Sequence, residues 1–224
     1  PAYKIASFEN VDTPLIEYAA NTGKPLIIST GMATLDEIED AVSAAERGGC
    51  KQLTILKCTS SYPAPPEDSN LATIMDIKKY FKCEAGLSDH TLGIGAAITA
   101  TALGASVIEK HLTLSRNNNA IDSAFSMEPD ELRLLMLETK NAALSVGKVF
   151  YGPTKVEESS RKKRRSIYIV EDIKKGEVFN TTNLRRIRPG LGIKPKFYND
   201  ILGNKAAVDI YKGTPFNWEL MSKE

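Results

Sequence analysis

The chain has 224 residues, 42% of them hydrophobic and 25% charged, with 29 Lys and Arg against 28 Asp and Glu. That length bounds one large or two small globular domains, and the near-zero balance argues against a global basic field for nucleic acid or an acidic tail. Cys50, Cys58 and Cys83 form no C-x-x-C pair, which argues against a disulfide framework or zinc ribbon and predicts free thiols in a reducing, cytoplasmic setting; no apolar run reaches membrane-span length and no signal-peptide pattern is visible.

Tyr3 to Ser7 reads as a strand. Asp12-Thr13-Pro14 opens a helix to about Asn21, with proline in the first turn. Pro25 to Thr30 is a continuous apolar run of the kind a parallel sheet buries on both faces. Thr34-Leu35-Asp36-Glu37 is a capping box, and Leu35, Ile38, Ala41, Val42 and Ala45 follow at helical spacing until Gly48-Gly49. Leu53 to Cys58 is the third strand. The loop from Thr59 to Pro66 is stiffened by proline, and a helix follows over Leu71 to Phe81. Ala85 to Ser88 and Ala105 to Glu109 are the fourth and fifth strands, flanking a small-residue helix from Gly93 to Leu103. Leu112 to Met127 has no periodicity; a segment of that length is functional or unstructured. Pro129-Asp130-Glu131 starts a last helix, stopped by Gly147.

Strand alternates with helix five times, which is the signature of βα units on a parallel sheet. Five units are too few for an eight-unit barrel, so the count suggests a barrel without its first three. After Gly152-Pro153 the composition changes. A polar stretch at 153–165 carries the basic run Arg161-Lys162-Lys163-Arg164-Arg165 and reads as a solvated linker. Residues 166–224 form a small, loop-rich second domain. It contains a strand at Ser166 to Val170, a short helical turn at Asn183-Leu184-Arg185 and a rigid loop at Arg188-Pro189-Gly190. The domains are thus 1–152 and 166–224.

The chain's two histidines, His90 and His111, each end an apolar strand. At the C-terminal face of a parallel barrel such ends carry active sites. Two neutral imidazoles converging there could hold a divalent metal; equally, one could cap a helix and the other sit satisfied in a core.

Lys4-Ile5-Ala6-Ser7-Phe8-Glu9, Ile28-Ser29-Thr30-Gly31-Met32, Lys57-Cys58-Thr59-Ser60-Ser61-Tyr62-Pro63, Gly86-Leu87-Ser88-Asp89-His90-Thr91 and Glu109-Lys110-His111 resemble, in this order, the sialic acid synthase family. Asp172 to Glu177 and Ile187-Arg188-Pro189-Gly190 resemble that family's antifreeze-like (SAF) domain. Ala6 to Glu9, Tyr62 to Asp68 and Asp122 to Ser126 are most similar to the pseudaminic acid branch. Lys57 and Ser60 stand where the neuraminic acid enzymes commonly carry histidine and asparagine. The resemblance implies an α/β fold: a (β/α)8 TIM barrel represented by its last five units, strands 4–8, and a small C-terminal β-clip domain. A fragment of that kind is expected to be inactive alone.

The implied reaction condenses phosphoenolpyruvate (PEP) with an open-chain N-acetylated amino sugar, giving a nonulosonic acid and phosphate. The expected product is pseudaminic acid, from 2,4-diacetamido-2,4,6-trideoxy-L-altrose, with N-acetylneuraminate or legionaminate as alternatives. Carried over by motif, Lys4, Ser7, Ser29, Ser60 and Ser88 cradle PEP and Tyr62 contacts the sugar. His90 and His111 bind a divalent metal (Mn²⁺, Mg²⁺ or Co²⁺); Glu9 and Asp122 are the candidate bases in this sequence, and a glutamate at the end of the family's first barrel strand is a third. Arg188 reaches the partner's site in a domain-swapped homodimer, with no nucleic-acid or membrane partner. Three competing readings are an aldolase with Lys57 or Lys110 as Schiff-base nucleophile, a carbohydrate-binding module on a degenerate scaffold, and nucleic-acid binding through 161–165.

Overall fold

The computed structural model describes residues 1–118 and 120–222. The chain folds as two units, Pro1–Lys148 and Val149–Glu224.

The first unit carries five parallel strands in sequence order: β1 (Tyr3–Ile5), β2 (Leu26–Ser29), β3 (Leu53–Cys58), β4 (Glu84–Asp89) and β5 (Val107–Lys110). Between and after them run α1 (Thr13–Ala20), α2 (Leu35–Arg47), α3 (Thr73–Phe81), α4 (Gly95–Ala102) and α5 (Pro129–Val146). Sequential parallel pairing with a helix in each crossover is the βα repeat of a TIM barrel, here a half-barrel. The register matters for the site. Ser88 lies opposite Glu109 and Asp89 opposite Lys110, and successive side chains leave a strand on opposite faces.

The local reasons are visible in the sequence. Thr34 and Glu37 form the capping box at the start of α2. At its end, a Cβ on Gly48 would lie 2.5 Å from both Ala20 Cβ and Glu17 O, so the approach of α2 to α1 requires glycine there. Leu26, Ile28, Ile16, Ala44 and Ala45 are buried between these helices and the sheet, and Ile55, Leu87, Ile74 and Ile77 continue the core under α3.

In the second unit β6 (Ser166–Ile169) pairs antiparallel with β7 (Leu184–Ile187). Isolated bridges such as Ile173–Ile210 and Ala206–Met221 close the remaining loops around Ile167, Ile169, Phe179, Leu184 and Phe216. Asn183-Leu184-Arg185, expected as a helical turn, instead leads into β7, where Leu184 and Arg185 face Ile169 and Tyr168. Cross-strand pairing outweighs the local turn signal around Asn183. The basic run, expected to be a plain linker, belongs largely to a capped 3-10 segment, Lys155–Lys163, whose Thr154 and Glu157 form a capping box. A single four-residue helix, α6 (Tyr198–Ile201), completes the described part of the unit.

Candidate active site

The C-terminal ends of β1 to β5 carry the site. Lys4 lies on β1, and its Nζ stands 3.4 Å from Glu109 Oε1 on β5. Glu109 also accepts a hydrogen bond of 2.7 Å from Ser88 Oγ. Ser7, in the turn after β1, accepts from the Gly31 amide at 3.1 Å. Ser29 Oγ and Ser60 Oγ are buried and, among the described residues, have no hydrogen-bond partner. A buried hydroxyl left unpaired costs about 1–3 kcal/mol, so these two are free to donate to an acceptor. Gly31 closes the group: a Cβ there would come within 2.7 Å of Ser7 Oγ and nearer still to Ser60 Oγ. Lys4, Ser7, Ser29, Ser60 and Ser88 are thus the hydroxyls and the cation of one set of adjacent strand ends.

Beside them lies an aromatic and imidazole cluster. The rings of His90 and His111 are 5.2 Å apart, edge to face. Tyr62 lies 4.2 Å from His90, and Phe125 lies 5.1 Å from His111 and 5.7 Å from Tyr62. His90 Nδ1 is 2.8 Å from the Thr59 carbonyl oxygen. A carbonyl can only accept, so Nδ1 carries the proton and Nε2 keeps its lone pair for a ligand. Burial pulls the His90 pKa down, but hydrogen bonds to Cys58 and the Thr59 carbonyl outweigh it and leave the ring above its ordinary value. His111 goes the other way: burial and the neighbouring His90 hold it below the ordinary value. Its Nδ1 is 3.8 Å from Asp122 Oδ2, too long for a hydrogen bond, so a neutral His111 makes no ion pair there.

Two converging imidazoles fit a divalent ion that keeps water and substrate oxygens as its other ligands. They do not make a closed protein cage: among the described residues no group of three His, Cys, Asp or Glu side chains converges for a metal.

The structure separates the remaining candidates. Asp122 joins the cluster, at positive φ in the segment after β5. Glu9 is exposed at the end of the Ser7–Glu9 turn, and among the described residues its carboxylate makes no hydrogen bond or ion pair. Arg188 lies in the second unit, exposed, on a loop braced by Ser166, whose Oγ donates to Pro189 O at 2.8 Å and accepts from the Gly192 amide at 2.9 Å. Lys110 is unsuited to Schiff-base chemistry: its ammonium is buried against Asp89 at 2.7 Å. Lys57 donates to Cys58 O at 2.8 Å, and burial lowers its pKa.

Sequence reasoning missed two members. Glu109 sits two residues before His111 on a strand, hence on the same face; that spacing was the available signal. Cys58 is buried at the end of β3, with Sγ 3.9 Å from His90 Nδ1. Burial pushes its thiol up, yet hydrogen bonding to His90, Ser7 and Ser88 brings it down to about 7. Its position as the last residue of a barrel strand was the signal.

Comparison with known proteins places this arrangement. Residues 1–151 match the NeuB family and residues 164–220 the SAF domain. The pseudaminic acid synthase of Helicobacter pylori is 42% identical over 221 residues, covering 97% of this chain and 64% of that protein. An N,N'-diacetyllegionaminic acid synthase of Campylobacter jejuni is 40% identical, covering 94% and 64%. Among solved structures, the spore coat polysaccharide biosynthesis protein SpsE of Bacillus subtilis aligns at TM-score 0.63 with 31% identity, over all of this chain and 68% of that one. The N-acetylneuraminic acid synthetase of Leptospira borgpetersenii, in complex with citrate, aligns at 0.65 with 38% identity over 70% and 55%. The chain spans less than two thirds of the length of the pseudaminic and legionaminic acid synthases it matches. It belongs to the NeuB family, the sialic acid synthases, and carries that family's half-barrel followed by a SAF domain.

Proposed function

We propose that the intact protein is a PEP-dependent nonulosonic acid synthase and that these residues form the larger part of its active site. The observation that carries the reading is the pair of buried hydroxyls, Ser29 and Ser60, that lack a hydrogen-bond partner among the described residues, at the same set of strand ends that carries Lys4 and the two converging imidazoles. Lys4 and the serines would bind the phosphate and carboxylate of PEP, since charge-assisted donors are the strong ones. Tyr62 and Phe125 would pack against the sugar and exclude water from its reacting end. His90, through Nε2, and His111 would hold a divalent ion, which when bound supplies Lewis-acid polarisation of the sugar's aldehyde oxygen.

C3 of PEP bonds to the aldehyde carbon, whose oxygen becomes a hydroxyl by taking the proton released when water adds its hydroxyl to C2; the C2 hydroxyl then gives up its proton as the C2–O bond to phosphate breaks, leaving the ketone and phosphate, which carries that proton away. Water must be oriented by a carboxylate. Asp122 stands beside His111, and Glu109 stands between Lys4 and Ser88. Glu9, expected to share this role, has an exposed carboxylate with no partner among the described residues. The product we propose is pseudaminic acid, in line with the 42% identity to pseudaminic acid synthases and the motifs around Tyr62 and Asp122. The setting would be the cytoplasm and the active form a homodimer in which Arg188 reaches the partner's sugar.

The test is phosphate release by the intact protein with PEP, Mn²⁺ and each of three sugars: the altrose-type diacetamido sugar, its legionaminate counterpart and N-acetylmannosamine. Turnover of the altrose-type sugar supports the reading, and turnover of another reassigns the product. Absence of phosphate release with all three, together with borohydride trapping of a substrate adduct on Lys57, would replace it with the aldolase reading.

A further inference from the structure

We propose that the buried Asp89–Lys110 ion pair is the brace that sets the spacing of His90 and His111; the proposal rests on the metal reading of that site. The pair spans β4 and β5 at directly opposed positions, each residue immediately preceding one of the histidines. Lys110 Nζ stands 2.7 Å from Asp89 Oδ2, with the side chains 6% and 1% exposed. The same ammonium donates to Thr91 O at 2.6 Å, and the other Asp89 oxygen accepts from the Thr91 amide at 2.8 Å. The two charges therefore hold the backbone on both sides of His90 while tying it to the residue before His111.

Stability is a weak reason for such a pair. A buried ion pair costs so much desolvation that apolar residues of similar volume often replace it without loss. Its best-attested use is to fix register. Register is what this site needs, because a one-residue slip of β5 against β4 would turn His111 to the other face. Ser88 and Glu109, opposed one position earlier and bonded to each other, fix the other face of the same two strands. His90 has further supports, through Thr59 O and through its own carbonyl, which accepts from the Ala64 amide at 2.9 Å. The His111 ring has aromatic neighbours and the long Asp122 contact but, among the described residues, no hydrogen bond, so its place depends more heavily on where β5 ends. Asp89 and Lys110 are positioning residues, acting through the two imidazoles.

The experiment uses the intact protein carrying Asp89→Asn with Lys110→Met, which removes both charges, keeps an acceptor for Thr91 and leaves no unpaired buried ion. Mn²⁺ affinity is measured by electron paramagnetic resonance, PEP binding by calorimetry, and the melting temperature alongside. Outer-shell partners of metal ligands typically govern affinity by about 10- to 100-fold, so Mn²⁺ binding should weaken by that factor while the fold and PEP binding in the absence of metal persist. Wild-type Mn²⁺ affinity in the folded double variant would overturn the proposal. Should that variant not fold, Asp89→Asn with Lys110→Gln, whose amides retain the hydrogen bonds to Thr91, takes its place with the same two outcomes. A His90→Ala control separates the failures: if wild type binds Mn²⁺ no more tightly than this control, the metal reading falls and the brace with it.

Discussion

Gly31→Ala puts the anion cradle to its sharpest test. Gly31 is buried, and its φ lies outside the left-handed region, so alanine brings no backbone strain. What it brings is one methyl group in a place already claimed: within 2.7 Å of Ser7 Oγ and 3.0 Å of Ser7 Cβ, and closer still to Ser60 Oγ. Ser60 must turn away and Ser7 must shift, so the cradle loses one or both hydroxyls. A hydrogen bond to a charged group contributes about 1.5–3 kcal/mol, which for one lost donor is about a 10- to 150-fold weaker grip on PEP. The methyl also overpacks the site, at about 1–3 kcal/mol of fold stability, so a melting curve accompanies the assay. The readout is the KM for PEP against that for the sugar in the intact enzyme, with direct calorimetry of PEP. An unchanged PEP affinity in a folded Gly31→Ala protein would refute the placement of the phosphate or carboxylate between Ser7 and Ser60.

Lys4→Met removes the cation of the same cradle and should raise the KM for PEP about 10- to 150-fold, from about 1.5–3 kcal/mol, with the sugar KM nearly unchanged; equal effects on both substrates would remove Lys4 from the cradle. His90→Ala or His111→Ala should abolish metal-dependent turnover and leave the melting temperature within a few degrees; turnover at wild-type level after chelation would end the metal assignment. Because the His90 pKa is raised, its protonated form persists to higher pH than usual and competes with a metal at Nε2. Mn²⁺ affinity should therefore climb as pH rises, with the climb displaced to higher pH than an ordinary histidine would give, and a flat titration would mean His90 is not a ligand. Mixing an intact His90→Ala chain with an intact Arg188→Ala chain should restore about a quarter of wild-type activity if the arginine acts in trans in a dimer; no recovery despite subunit exchange would rule that out.

Much of this was legible because the relevant signals are local or periodic. Apolar runs marked β1 to β5, a capping box fixed the start of α2, and the family motifs marked the polar residues at the strand ends. What escaped depends on pairing across the sheet. Glu109 belongs to the site because Ser88 and Lys4 meet it, and neither neighbour is near it in sequence. Lys110 was readable as a nucleophile until its partner Asp89, 21 residues earlier, was placed beside it. Asn183 and Leu184 carry a turn signal that the pairing with β6 overrides. Pro1–Lys148 holds 13 Lys and Arg against 19 Asp and Glu, and Val149–Glu224 holds 16 against 9. The near-neutral total is thus the cancellation of an acidic unit and a basic one.

The charge of the site also links the two halves of the proposed function. PEP brings about two to three negative charges near neutral pH, one from its carboxylate and the rest from phosphate. Lys4 offers one positive charge, and Glu109, 3.4 Å away, cancels it; Asp122 adds a further carboxylate beside the imidazoles. Glu109 occupies both Lys4 and Ser88, so on the proposed function PEP would have to displace it or bind against it. A divalent cation held by His90 and His111 would reverse that balance by offsetting both carboxylates. Metal and PEP should therefore bind with positive coupling, and linkage makes the coupling reciprocal: each raises the other's affinity by the same factor, for which about 5- to 150-fold is typical. Calorimetric titration of PEP with and without Mn²⁺, and of Mn²⁺ with and without PEP, measures both sides of that cycle. Equal factors in the two directions, lost together in His90→Ala, are the expected result. PEP affinity indifferent to Mn²⁺ would show that the anion cradle and the imidazole pair are electrostatically independent.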